Sequence, residues 1–278
     1  MDIPQSSAHL AKLAGCSLLT YTLHGAYLAH PRWSKELRKG DIRGELVHEY
    51  SPAEIKGMSQ EELLSAIRAD LFVDTYAEQA EEKKLYPAKY PAEDLETALF
   101  LCPRCGRIGA LRSRWEFFEC QCGLKTSLDA YGFFQTTEGQ APPFPHVHAW
   151  FQWQKQQISR LIRDRMEEKG PLLQDNRQYL YLCLGLNKDR LLAKGTLSLS
   201  LDKLEFQGEN GYTLSLRLNE LSDLACEEQM LLSFVHQGKI YEIRSLHPRS
   251  AIKYQLFFRE LKQLSKRSDS AGEKLAKK

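Results

Sequence analysis

Between Leu101 and Lys125 the chain reads LCPRCGRIGALRSRWEFFECQCGLK. Cys102-Pro-Arg-Cys105-Gly and Cys120-Gln-Cys122-Gly are two short cysteine turns separated by fourteen residues. Two such turns supply two thiolate corners each, and four thiolates close the tetrahedral shell of a structural zinc. A catalytic zinc instead keeps an open position beside three protein ligands. Cys102, Cys105, Cys120 and Cys122 are therefore expected to hold a structural zinc that staples the chain. A glycine follows each pair and lets the backbone fold under the sulfurs. The second turn is C-x-C, tighter than the usual C-x-x-C. A thioredoxin-type redox site needs a βα context after one C-x-x-C, whereas this run continues into a second pair. Ile108, Leu111, Trp115, Phe117 and Phe118 between the turns suit the strands of a zinc ribbon, placed over residues 96–135.

The other cysteines, Cys16, Cys183 and Cys226, are scattered through strand-like runs and are expected to be buried small hydrophobes. This is not the even spread of a secreted disulfide framework. Met1 to Ser7 carries no signal-peptide pattern, and no apolar run approaches the roughly 20 residues that span a bilayer. The expected location is cytoplasmic, a reading that leaves room for a peripheral position on the inner face of a membrane. Net charge is +2, which gives no global attraction to polyanions. Arg104, Arg107, Arg112 and Arg114 rim the ribbon beside Trp115, a combination that suits single strands. Charged rims are usually only solvated, and nucleic acid is not the expected partner.

Before the ribbon, residues 6–14 suit a short helix, and CSLLTYTLHG and IRGELVHEY suit strands. Two helix starts follow, Ser51 with Pro52 and Glu54, then the S-x-x-E box of Ser59 and Glu62. Leu63, Ile67 and Leu71 stand at helical spacing after the second. Residues 1–85 thus read as the last portion of an α/β layered domain. Residues 136–170 read as a proline-rich linker and an amphipathic helix. That helix carries Trp150, Phe151 and Trp153 beside lysine and arginine, as helices on a bilayer surface do, but packing against the following domain is the expectation. Residues 171–265 alternate as short strands, with Leu197, Leu199 and Leu201 on one face and turns at GENG and HQGK. A final helix presents Ile252, Leu256, Phe257, Leu261 and Leu264 together. This element order is that of a pleckstrin-homology (PH) or GRAM-like barrel. Residues 266–278 read as a disordered polar tail.

The stretch AKLAGCSLLTYTLHGAYLAHPRWSKELRKGDIRGELVHEY, with its continuation to Gln79, LETALFLCPRCGRIGALRS and YGFF, resembles the back half of bacterial lysophospholipid acyltransferases, the 1-acyl-sn-glycerol-3-phosphate acyltransferase family. It is most similar to the subgroup in which a zinc ribbon follows the acyltransferase fold. The resemblance covers about residues 6–153. It implies acyl transfer from a thioester of coenzyme A or acyl carrier protein to a lysophospholipid hydroxyl, at a membrane surface, in phospholipid synthesis. The family uses an H-x4-D motif as general base and E-G-x-R to hold the acceptor phosphate.

Neither motif stands in this sequence. No histidine has an aspartate five positions on, and the nearest approach to the second motif is EGQA at Glu138. LLTYTLHG matches the fourth motif, with Thr20 where the family usually has proline and His24 at a position that is often basic. The chain is therefore expected to be a truncated portion, inactive alone. A truncated gene model, a separate chain and a real loss stay open as the reason. His24 and His30 are candidate substitute bases, and His146 and His148 candidate metal ligands; a structural role is the expectation for each. Arg32, Arg38 and Lys39 suit a lipid phosphate and Trp33 suits a membrane interface, so these four form the candidate substrate-binding rim. The alternative is a non-enzymatic adaptor in which ribbon and barrel bind lipid head groups or a protein.

Overall fold

Helix α1 (Gln5–Ala14) stops before Gly15, as expected. Strand β1 (Leu18–His24), helix α2 (Ala26–Ala29) and strand β2 (Arg43–Tyr50) follow. A computed structural model of the chain describes residues 3–166, 170–185, 189–227, 230–247 and 249–276, with side chains as far as residue 266. It divides into two units. One comprises Met1–Pro31, Lys35–Lys89 and Asp129–Gly132; the other comprises Arg32–Ser34, Tyr90–Leu128 and Phe133–Lys278.

In the first unit β1 and β2 pair antiparallel, with Tyr21 opposite Leu46 and Leu23 opposite Gly44. Helices α3 (Pro52–Gly57) and α4 (Gln60–Asp70) both begin in complete capping boxes, Ser51 with Glu54 and Ser59 with Glu62. Each box satisfies backbone donors that a helix start leaves orphaned. Helix α5 (Thr75–Glu82) starts at Asp74, whose carboxylate accepts from the Ala77 N–H; the sequence analysis does not mark this helix. Ile3, Ala8, Tyr50, Ile55, Leu63, Leu64 and Ile67 form the core, with Leu71 at its margin. The glycine of the RKG stretch has a packing reason: a Cβ on Gly40 would lie 2.1 Å from the Tyr86 ring.

The hairpin inverts the usual order of a half-buried strand. Thr20 and Thr22 are 3% and 6% exposed, whereas Leu19, Tyr21, Leu23 and Leu46 are 54–58% exposed. The buried polar side chains are hydrogen-bonded, as buried polar groups must be. Thr20 donates to Asp70 Oδ2 at 2.8 Å, and Tyr50 donates to the same oxygen at 2.7 Å. A hairpin of two strands is marginal in water without a covered apolar face.

The second unit holds a small antiparallel sheet, β3 (Leu111–Arg114), β4 (Phe117–Cys120), β5 (Lys125–Leu128) and β6 (Phe134–Gln135), joined in that order. Helix α6 (Val147–Asp164) follows. Strands β7 (Leu173–Cys183), β8 (Asp189–Leu199), β9 (Lys203–Gly208), β10 (Thr213–Arg217), β11 (Ala225–Glu227), β12 (Leu231–His236) and β13 (Lys239–Ser245) build one antiparallel sheet in the order β10-β9-β8-β7-β13-β12-β11. The sheet curls into a half-barrel, and α7 (Ile252–Ala276) packs on it. Leu180, Leu197, Leu199, Phe206, Phe257 and Phe258 lie in its core. The expected GENG and HQGK turns close the β9–β10 and β12–β13 hairpins.

Several readings differ here. β8 ends at Leu199, and Leu201 is 39% exposed rather than continuing the inward row. The proline-rich stretch before α6 is packed: Phe144 lies 5.6 Å from the Trp150 ring and 5.4 Å from the Trp153 ring. Helix α6 packs against the following domain as expected, with Trp150, Gln154, Ile158 and Ile162 buried. Helix α7 runs to Ala276, through residues that read as a polar tail. Lysine, alanine, glutamate and leucine extend a helix at little cost once packing has nucleated it.

Candidate metal centre

The four Sγ atoms of Cys102, Cys105, Cys120 and Cys122 lie within 4.8 Å of one another. Cys102 Sγ is 3.7 Å from Cys122 Sγ, and Cys105 Sγ is 3.8 Å from Cys120 Sγ. Tetrahedral coordination with metal–sulfur bonds of about 2.3 Å requires sulfurs about 3.8 Å apart. The donor set and its spacing are compatible with a metal site.

Local backbone geometry makes this cluster. The Gly106 N–H donates to Cys102 O at 2.9 Å and the Gly123 N–H donates to Cys120 O at 2.9 Å. Gly106 and Gly123 sit at φ 70 and 87, a left-handed conformation that a side chain disfavours. The C-x-C turn therefore closes around its glycine as the C-x-x-C turn does. Each turn is also tied to the chain beyond it, Cys102 N–H to Arg107 O at 3.1 Å and Cys120 N–H to Leu124 O at 2.9 Å. Burial pushes the Cys102 thiol up to about 12 and raises Cys120 as well, whereas Cys122, against its own burial, is lowered to about 7 by hydrogen bonds from the Leu124 backbone and the neighbouring thiols. A bound cation inverts this logic, because a coordinating thiol is deprotonated outright.

Helix α6 holds the first turn in place. Trp150 Nε1 donates to Leu101 O at 3.0 Å. Gln154, fully buried, donates through Nε2 to Ala98 O at 2.8 Å and accepts at Oε1 from the Phe100 N–H at 3.0 Å. Gln154 is not among the residues that the sequence singles out. Its signal is a single amide in the apolar row Val147, Trp150, Ile158, Ile162, where an unsatisfied amide would cost free energy. Phe118 and Phe134 pack edge-on against the same Trp150 ring at 5.4 and 5.6 Å.

The other candidates differ in exposure. Arg32 and Lys39 are exposed, whereas Trp33 and Arg38 are buried. A buried indole is not placed to sit at a membrane interface, and burial lowers the Arg38 pKa against the opposing influence of Tyr76 and Glu36. His24 is fully engaged: Nδ1 lies 2.8 Å from Glu78 Oε1, and Nε2 lies 3.1 Å from Thr22 Oγ1. His30 is exposed. His146 caps α6, accepting from the Ala149 N–H at 3.2 Å, and His148 pairs with Gln152; neither belongs to the cysteine cluster. Of the remaining cysteines, Cys16 is exposed, because it lies between Gly15 and the start of β1 rather than within the strand. Cys183 and Cys226 are partly buried. Around the ribbon, Arg112 Nη1 donates to Gly109 O at 2.9 Å and Arg114 lies 4.6 Å over the Trp115 ring. Among the described residues no helix is long and apolar enough to cross a membrane.

No family model matches the chain. No curated protein matches it. Among solved structures the chain is similar to one from "The 8S snRNP Assembly Intermediate", at 15% identity and TM-score 0.28, over 35% of this chain and 85% of that one. A likeness at that level carries no argument about function.

Proposed function

We propose that the chain is the back portion of a 1-acyl-sn-glycerol-3-phosphate acyltransferase-type protein of phospholipid synthesis, acting on lysophospholipid at a membrane surface. Zinc in the Cys102, Cys105, Cys120, Cys122 site is its staple; when bound, zinc contributes folding free energy there and leaves no open position for substrate. The seven-stranded half-barrel with its helix is read as a PH or GRAM-like appendage.

The observation that carries this reading is the inverted hairpin. Leu19, Tyr21, Leu23 and Leu46 form an exposed apolar row on the stretch that resembles the family's fourth motif. Contiguous exposed apolar surface marks an interaction site. The proposed occupant is the front portion of the same acyltransferase fold, which bears the H-x4-D base and the E-G-x-R phosphate motif. Acyl transfer needs a base for the attacking hydroxyl and charge stabilisation for the oxyanion. His24, with both ring nitrogens engaged, is a positioned structural group on this reading.

The test is co-expression with a family segment carrying both motifs. A one-to-one complex that transfers labelled acyl groups to lysophosphatidate, and that is lost in the Tyr21→Lys, Leu46→Lys double variant, supports the reading. A complex indifferent to the double variant would overturn it.

A further inference from the structure

The second unit contains a cavity of about 410 Å³ away from the cysteine cluster. Its wall carries four cations, Arg112, Arg165, Arg249 and Lys253, against two carboxylates, Asp175 and Glu96. Asp175 is already matched: Lys253 Nζ lies 2.7 Å from Oδ2, and Arg249 Nη1 donates to Oδ1 at 3.1 Å. Glu96 accepts from the Ser113 N–H at 3.1 Å and from its hydroxyl, and burial raises its pKa. Arg112 and Arg165 spend Nη1 on backbone carbonyls, Gly109 O at 2.9 Å and Leu172 O at 2.6 Å respectively. These bonds fix the two guanidinium groups in place, and each guanidinium has five N–H donors in all.

Two further features point to a ligand. Ser250 is 3% exposed and lines the cavity, yet its Oγ has no hydrogen-bond partner among the described residues. A buried hydroxyl without a partner costs free energy, and such exceptions call for a reason. Ser250 and Lys253 also flank the N-terminus of the long helix α7, whose dipole favours negative charge there.

We infer that this cavity binds a phosphate monoester, with Arg112, Arg165 and Arg249 facing the phosphate and Ser250 Oγ donating to it. The excess of two cations over carboxylates matches a monoester carrying about −1.5 to −2 at neutral pH, and guanidinium groups suit its geometry. A cavity of this volume admits a small phosphorylated molecule or a lipid head group. The site lies wholly in the second unit and does not depend on the acyltransferase reading.

The experiment is calorimetric titration of the metal-loaded full chain with inorganic phosphate and with sn-glycerol 3-phosphate. Flotation with phosphatidylcholine vesicles, with and without phosphatidate, accompanies it. Ser250→Ala is the informative variant: removing an unpartnered hydroxyl leaves unliganded stability unchanged or raised, while losing a bond to a charged ligand weakens binding about tenfold or more. Arg249→Gln, which leaves Lys253 on Asp175, is expected to weaken binding by a similar factor. Saturable binding of glycerol phosphate, weakened in both variants, supports the inference. If phosphatidate vesicles are bound and lost in the same variants, the source is a lipid; if only the soluble ester binds, it is a metabolite. No saturable binding of any probe at about 10 mM, or binding unaffected by both variants, overturns it.

Discussion

Strands β1 and β8 alternate with the same period and opposite meaning. In β8 the inward residues Ala193, Leu197 and Leu199 are apolar and buried within a core that the second unit completes by itself. In β1 the inward residues are Thr20 and Thr22, and the apolar residues Leu19, Tyr21 and Leu23 face out. A period of two says only that a strand has two faces; the layers that cover it decide which face is core. The first unit holds together through α1, α3 and α4 and through the Asp70 hydrogen bonds. Its hairpin leaves the apolar residues Leu19, Tyr21, Leu23 and Leu46 exposed while burying threonines.

The contrast can be broken in order of effect. The largest change is expected at the cysteine cluster, whose geometry is compatible with a metal site. Structural zinc contributes about 10–16 kcal/mol of apparent binding free energy in small peptides, so Cys102→Ser should abolish stoichiometric metal and expose the amides of β3, β4 and β5, measured by metal analysis and hydrogen exchange. Next, Leu197→Ala on the inward face of β8 should cost about 2–5 kcal/mol through the cavity it leaves, measured by denaturant unfolding. In the hairpin the inward change is smaller: Thr20→Val removes one of two donors to Asp70 and should cost about 1 kcal/mol.

The same carboxylate sets a pH signature. Burial first, then the Asp70 hydrogen bond and charge, push the Tyr50 phenol up to about 12. A phenol whose pKa is raised on folding contributes stability that is complete below its unfolded value near 10. That contribution is lost as pH rises from about 10 toward 12. Tyr50→Phe should flatten this part of the pH–stability curve. The smallest effect is outward: Tyr21→Lys should stay within about 0.5 kcal/mol of the parent, and only association with a covering partner should suffer.

Much of this was legible in the residues. The two cysteine turns, the boxes at Ser51 and Ser59, and the alternating leucines of β8 are local signals, and local chemistry decides them. Helix α5 was missed because its eight residues carry no strong apolar period; only the Asp74 cap announces it. Gln154 was missed because periodicity marks where a side chain points, and not which carbonyl it meets. Cys16 and Leu201 were misplaced by one or two residues at strand ends, where pattern alone fixes boundaries poorly. The Arg32, Trp33, Arg38, Lys39 rim rests on a resemblance, and burial of Trp33 and Arg38 depends on packing that no short motif encodes.

The most direct measurement is acyl transfer from a labelled acyl thioester to lysophosphatidate by the metal-loaded chain alone, with anionic vesicles present. No product above background, with one metal ion per chain, is the expected result. Product that disappears in His24→Ala would contradict it, and would mean that His24 leaves Glu78 and Thr22 to act as the base.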